Sequence, residues 1–290
     1  MRNLIGLLIF LISSSTLANS WNGKIFRVSD RAEVSYNDFV RDVSDHRYVI
    51  IGENHMTTEV QDAEARTIND VINFKKENFV FAWEFLAYSQ QPLVDRLWDS
   101  FVSGKLTGEE FIKATLYNPA NNTYIPILKT VAENGGELIG INLTREEKAP
   151  VTKGGIKAAD PKIVPSGYEI GGADYYKRFQ ESMDGHTTPD KISNYFDAQC
   201  LTDDVMANEL SRISADKVFV IAGHFHTDYF DGFVSRANVR IPNQSKIVIR
   251  ILDASKFKEE ELMEQLVHVK YGNVADYAYF VKEPIAANQK

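Results

Sequence analysis

The chain has 290 residues, 44% hydrophobic, 25% charged and 11% aromatic, which is globular composition and excludes a fibrous or wholly disordered protein. With 32 basic against 40 acidic residues the net charge is −8, which excludes nucleic acid as the main partner because phosphate binding needs a positive footprint. The single cysteine, Cys200, excludes an internal disulfide and a CxxC zinc site. The N-terminus carries Arg2, an apolar run over residues 4–12 and then small residues, with Ala18 and Ser20 in a cleavage-site pattern. The apolar run is too short for a bilayer span of ~20 residues. We therefore expect a cleaved signal peptide over residues 1–20, an exported and periplasmic mature chain, and no stable membrane insertion.

Strands are predicted at residues 24–28, 48–52, 79–84, 137–141, 217–222, 246–252 and 276–281. Most are continuous apolar runs, the mark of parallel strands buried on both faces. Helices are predicted between them at 58–77, 91–101, 107–114, 124–134, 190–213 and 258–269. Strand and helix in alternation mean one α/β domain over residues 21–290, a mainly parallel sheet flanked by helices. Helical insertions near 88–126 and 173–212 should form a smaller subdomain over one edge. Residues 146–172, rich in Gly, Pro and Lys, read as a long loop. Residues 286–290 read as a frayed tail.

Ligands of parallel sheets bind outside the carboxyl ends of the strands. Four predicted strands end there in polar residues: Glu53 and His55, Glu84, Asn142, and His224 with His226. Glu53 and His55 point the same way in extended chain, and a carboxylate beside an imidazole is an acid–base pair. Two histidines with carboxylates are also a metal-ligand set, so His55 and His226 are candidates for a divalent metal. On the helix after residue 190, Gln199, Asp203 and Met206 share one face. Cys200 lies off that face and reads as a small buried hydrophobe. His46, His186 and His268 read as surface residues. The sequon Asn142-Leu143-Thr144 carries no weight beside a bacterial-style signal.

Five stretches, in order, carry a family resemblance: Ile50-Ile51-Gly52-Glu53-Asn54-His55, Ala82-Trp83-Glu84-Phe85, Ile139-Gly140-Ile141-Asn142, Ala198-Gln199 with Asp203 and Met206-Ala207, and Ile221-Ala222-Gly223-His224-Phe225-His226. The chain resembles, from about residue 48 to 238, the ChaN-like family of haem-binding uptake proteins. That family belongs to a wider group with the Tiki metalloproteases and the erythromycin esterases. The resemblance implies an α/β fold with a helical subdomain and haem handling in iron uptake at the cell envelope. It places Glu53, His55, Glu84, Gln199, Asp203 and His226 on the family's polar positions. His226 takes the motif histidine, and His224 stands where an asparagine is more usual. Haem is held through tyrosine in such proteins, which makes Tyr117, Tyr124 and Tyr229 candidates here. Lys153, Lys157 and Lys162 could meet the propionates. Many relatives carry a lipidation cysteine; none follows the apolar run here. A homodimer is left open. The competing reading is a hydrolase, an esterase or metal-dependent peptidase, using Glu53, His55, Glu84 and His226 as its catalytic rim.

Overall fold

The computed structural model describes residues 23–185 and 188–285. The expected signal peptide, His186 and the tail 286–290 lie outside the described residues. The elements in order are β1 (Lys24–Arg27), β2 (Ala32–Val34), α1 (Tyr36–Ser44), β3 (Tyr48–Glu53), α2 (Thr58–Phe74), β4 (Phe79–Ala87), α3 (Gln91–Val102), α4 (Gly108–Thr115), α5 (Ile125–Glu133) and β5 (Glu137–Asn142). There follow α6 (Arg145–Gly154), α7 (Ala173–Ser182), α8 (Pro189–Leu210), β6 (Lys217–Gly223), α9 (Gly232–Arg240), β7 (Lys246–Asp253), β8 (Val267–His268), β9 (Gly272–Asn273) and β10 (Tyr277–Val281). One eight-stranded sheet runs β2-β1-β10-β7-β3-β6-β4-β5. From β10 to β5 every pairing is parallel, while β1 and β2 close one edge antiparallel.

Period two sorts each strand between two cores. Val49, Ile51, Phe219 and Ile221 face the layer of α1 to α5, and Tyr48, Ile50, Val218 and Val220 face α8 and α9. Chain direction then fixes where a ligand can sit. After β3 the chain enters α2 on one face; after the neighbouring β6 it enters α9 on the other. Adjacent strands that diverge to opposite faces leave a crevice at their carboxyl ends. The two expected insertions do not share one lobe. Val94, Trp98, Phe111 and Ile112 of the first join the core on the α2 face, while Met206, Ala207 and Leu210 of the second join the opposite core. The N-terminal half of α8 continues past the sheet with α6 and α7 around small clusters of their own.

Two expectations about local structure need correction. The predicted loop opens with α6, because Thr144 and Glu147 form a reciprocal cap: Glu147 N–H donates to Thr144 Oγ1 at 3.1 Å and Thr144 N–H donates to Glu147 Oε2 at 2.6 Å. The predicted helix over 258–269 is a 3₁₀ turn, Glu259–Gln265, followed by the β8–β9 hairpin. Leu262 and Leu266, both buried, supply the misleading helical spacing. The backbone N–H groups of Lys270 and Tyr271 instead donate to His268 Nδ1 at 3.2 Å each, and Gly272 turns at φ +82°.

Candidate functional site

The carboxyl ends of β3, β4 and β6 lie side by side, and their side chains form a line of alternating carboxylates and imidazoles. At one end Glu53, buried, accepts from His55 Nδ1 at 2.8 Å, from the Tyr124 hydroxyl and from Gln61 Nε2. In the middle Glu84 accepts the Gly223 backbone N–H at 2.5 Å and faces His226 Nε2 at 3.1 Å. At the far end His226 Nδ1 meets Asp203 Oδ1 at 2.5 Å. The Tyr175 hydroxyl donates to Asp203 Oδ2 at 2.7 Å, and Gln199 Nε2 donates to that same hydroxyl at 3.0 Å.

Two glycines make the close approach. A Cβ on Gly223 would lie 2.7 Å from His55 Nε2, and one on Gly52 would lie 2.0 Å from Thr227 Oγ1. Gly52→Ala is therefore expected to destabilise by about 3 kcal/mol, by overpacking the buried turn after β6. Thermal unfolding checks this, and Thr227→Ala in the same chain should restore part of the loss.

Burial and charge set the protonation states. Burial works to lower the pKa of His226, but the Glu84 and Asp203 carboxylates prevail and raise it to about 10. Burial works to raise Glu84, but the His226 charge and hydrogen bond, then His55 and the Gly223 N–H, hold it at about 2. Asp203 is raised by burial, against His226 and Tyr175. For His55, burial lowers the pKa but Glu53 and Glu84 outweigh it, so the ring is raised. Glu64, fully buried behind Glu53, is pushed well up by burial and by the Glu53 charge.

The sign of each shift predicts a pH window. Stabilisation from Glu84 is complete above its ordinary 4.5 and is lost as pH falls through about 2. Stabilisation from His226 is complete below 6.5 and is lost as pH rises through about 10. Urea unfolding should show stability declining between pH 7 and 10, with that decline removed by His226→Gln. An equal decline in the variant would contradict a buried imidazolium.

The expected residues divide clearly. Glu53, His55, Glu84, His226, Gln199 and Asp203 do converge. Asn142 supports them from below, donating to the Glu84 carbonyl at 2.9 Å and accepting the Leu143 N–H at 2.7 Å. His224 turns away, its Nδ1 2.7 Å from Asp228 Oδ2, and lines a separate cleft of ≈ 790 Å³ with Tyr229, Arg250 and His268. Tyr124 is sealed, its ring 5.0 Å from Trp83 and 5.2 Å from Phe85 between centroids. Burial and Glu53 push its phenol pKa far up, and its hydroxyl donates to that carboxylate. Tyr229 sits half-buried at φ +64° with Arg178 over its ring. Tyr117 stands 81% exposed at φ +60°.

Among the described residues His55 and His226, the expected metal residues, are not joined by a third ligand: no group of three or more His, Cys, Asp or Glu is arranged to hold a metal ion. Both ring nitrogens of His226 face carboxylates, Nε2 towards Glu84 at 3.1 Å and Nδ1 towards Asp203 at 2.5 Å. Cys200 is buried as expected, and His46 is half-buried with Nδ1 unpartnered. Sequence reasoning missed Tyr175, which carries no motif. It also missed Gln61 and Glu64, whose signal was available: two polar residues three apart, interleaved with the buried stripe Val60, Ala63, Ala65 and Ile68 of α2.

An acid–base line of this kind at the switch point of a parallel sheet defines an α/β protein with a polar centre at the carboxyl ends of its strands. The sequence profile described as haem-binding uptake, Tiki superfamily, ChaN, matches residues 39–237, and the chain belongs to that family. The solved structure of ChaN of Campylobacter jejuni, described as showing cofacial heme binding, superposes with a TM-score of 0.71 at 18% identity. It covers 90% of this chain and 97% of that one. At that identity the likeness establishes the fold. The type III effector HopBA1 gives a TM-score of 0.47 at 13% identity, covering 92% of this chain and 100% of its own, and carries no argument. No curated protein matches. No helix among the described residues is long and apolar enough to cross a membrane.

Proposed function

We propose that this protein binds haem through the phenol oxygen of Tyr117, outside the membrane and in the service of iron uptake. The observation that carries the reading is the presentation of Tyr117. A bulky residue in the left-handed region is strained by about 1–3 kcal/mol and persists only where its surroundings hold it. Here α4 ends directly before it, and the Asn118 side chain caps the following turn by accepting from Ala120 N–H at 3.1 Å. In that conformation the ring stands 81% exposed, with its hydroxyl in solvent where iron can reach it. Tyrosine is an established axial ligand of haem iron. Tyr117 projects into solvent, so a porphyrin seated on it keeps one face open, and a second haem on a second copy of the chain would cover that face. This supports both the cofacial arrangement described for ChaN of Campylobacter jejuni and a homodimer. Haemin titration of the mature chain, residues 21–290, should shift the Soret band at micromolar protein and double the apparent mass in solution. An unshifted Soret band would sink the proposal.

One observation favours hydrolysis as a second reading. His55 has Nδ1 on Glu53 and no hydrogen-bond partner on Nε2 among the described residues, the arrangement of a general base. An ester panel tested with the intact chain and with His55→Ala decides it, and equal turnover in both excludes His55.

A further inference from the structure

A second cleft, of ≈ 640 Å³, opens between α6 and α8 directly above Glu84, Gln199 and His226. Its α6 wall carries Arg145, Lys148 and Lys153, spaced so that all three face the same groove. Arg145 and Lys153 make no ion pair among the described residues. Lys148 makes only a long contact, 3.4 Å from Nζ to Asn142 Oδ1. Burial lowers its pKa, against Glu84 and Glu147, and an ammonium has three donors to satisfy. The opposite wall and the end are apolar: Ala198 and Tyr195 of α8, with Phe179 and Met183 from the α7 end.

The rest of the molecule treats its buried cations differently. Arg236 and Arg240 both grip Asp204, Arg250 lies 3.2 Å from Asp228, and Lys217 donates to the Ser44 and His46 carbonyls. Against that pattern the half-buried Lys148 has no carboxylate in contact, and the exposed Arg145 and Lys153 stand on the same side of one concavity. The floor holds the His226 ring between the Glu84 and Asp203 carboxylates, so it adds no net positive charge and the cations of the cleft are those of α6. A cleft with cations on one wall and aromatic and thioether groups on the other recognises a molecule with an anionic head and an apolar body.

We propose that the α6–α8 cleft is a binding site for small organic acids, with the carboxylate at Lys148 and Arg145 and the apolar body against Phe179, Met183 and Tyr195. The site is distinct from Tyr117 and does not rest on the haem reading. Its anion lies over Gln199 and His226, so any chemistry of the polar centre would act on this class of molecule.

The probe is phenylacetate, with phenylacetamide as its neutral twin, titrated calorimetrically into the whole mature chain at low salt. Phenylacetate should bind at millimolar or tighter concentration, and the amide at least tenfold more weakly. Raising the salt should weaken the acid and leave the amide unchanged, since mobile ions screen an exposed charge pair. Lys148→Gln and, separately, the exposed Arg145→Gln should each weaken phenylacetate several-fold. Lys129→Gln, on the exposed side of α5, and Tyr117→Phe should leave it unchanged. Equal binding of acid and amide would overturn the proposal. So would unchanged phenylacetate binding in both cleft variants, or loss of binding in Tyr117→Phe.

Discussion

His226→Ala is expected to remove about 4 kcal/mol of stability at pH 7, because it strands two carboxylates that the fold has already buried. Asp203 is 1% exposed and Glu84 is 9% exposed. With the ring gone, Asp203 keeps only the Tyr175 hydroxyl, and Glu84 keeps the Gly223 N–H and the charge of His55. For a chain of this size such a loss corresponds to a fall of roughly 10 °C in melting temperature. The cavity left by an imidazole costs less than this, so the charge term dominates, and two further variants separate the two. Adding Glu84→Gln to His226→Ala should recover part of the loss, since a neutral amide needs no counter-ion. Lowering the pH toward 3 should shrink the deficit as Asp203 takes up a proton. Urea denaturation with a constant slope measures all three. A deficit below 1 kcal/mol at pH 7, or one insensitive to pH, would show that the ring is not the charge that holds these groups.

How much of this could be read from the chain follows from what kind of information each residue carries. Strands β3, β4 and β6 were legible because a strand buried on both faces needs an unbroken apolar run, and Tyr48 to Glu53, Phe79 to Ala87 and Lys217 to Gly223 are such runs almost throughout. The polar residues at their ends were legible for the same reason, since a carboxylate after five apolar residues marks where burial by helices stops. What the sequence could not encode locally was the strand order. β6 lies between β3 and β4, and only that insertion brings Glu84 within reach of His226 and sets Gly223 against His55. His224 illustrates the limit: two residues from His226 and identical in chemistry, it leaves by the other side of the 3₁₀ turn for Asp228. The parity of a single turn decided its role. Residues 258–269 failed for the opposite reason, because Leu262 and Leu266 satisfy a helical period that the β8–β9 hairpin overrides.

Tyr117→Phe should lower haemin affinity by at least 100-fold, about 2.7 kcal/mol, while leaving the fold untouched. The substitution removes one oxygen, the only atom of that side chain able to bind iron, and keeps the ring and its backbone conformation. Because the side chain is 81% exposed, nothing in the core senses the change. The other two tyrosines make the comparison sharp. Tyr124→Phe takes a donor from the buried Glu53 carboxylate and should cost about 1–3 kcal/mol of stability with the haem spectrum unchanged. Tyr229→Phe touches a ring half-buried beside Arg178 and should alter neither strongly. Tyr117→Gly adds a second control, since glycine relieves the left-handed strain while deleting the ligand. It should raise stability slightly and abolish the tyrosinate band together. Retention of that band in Tyr117→Phe with its loss in Tyr229→Phe would move the iron to the cleft of His224 and His268.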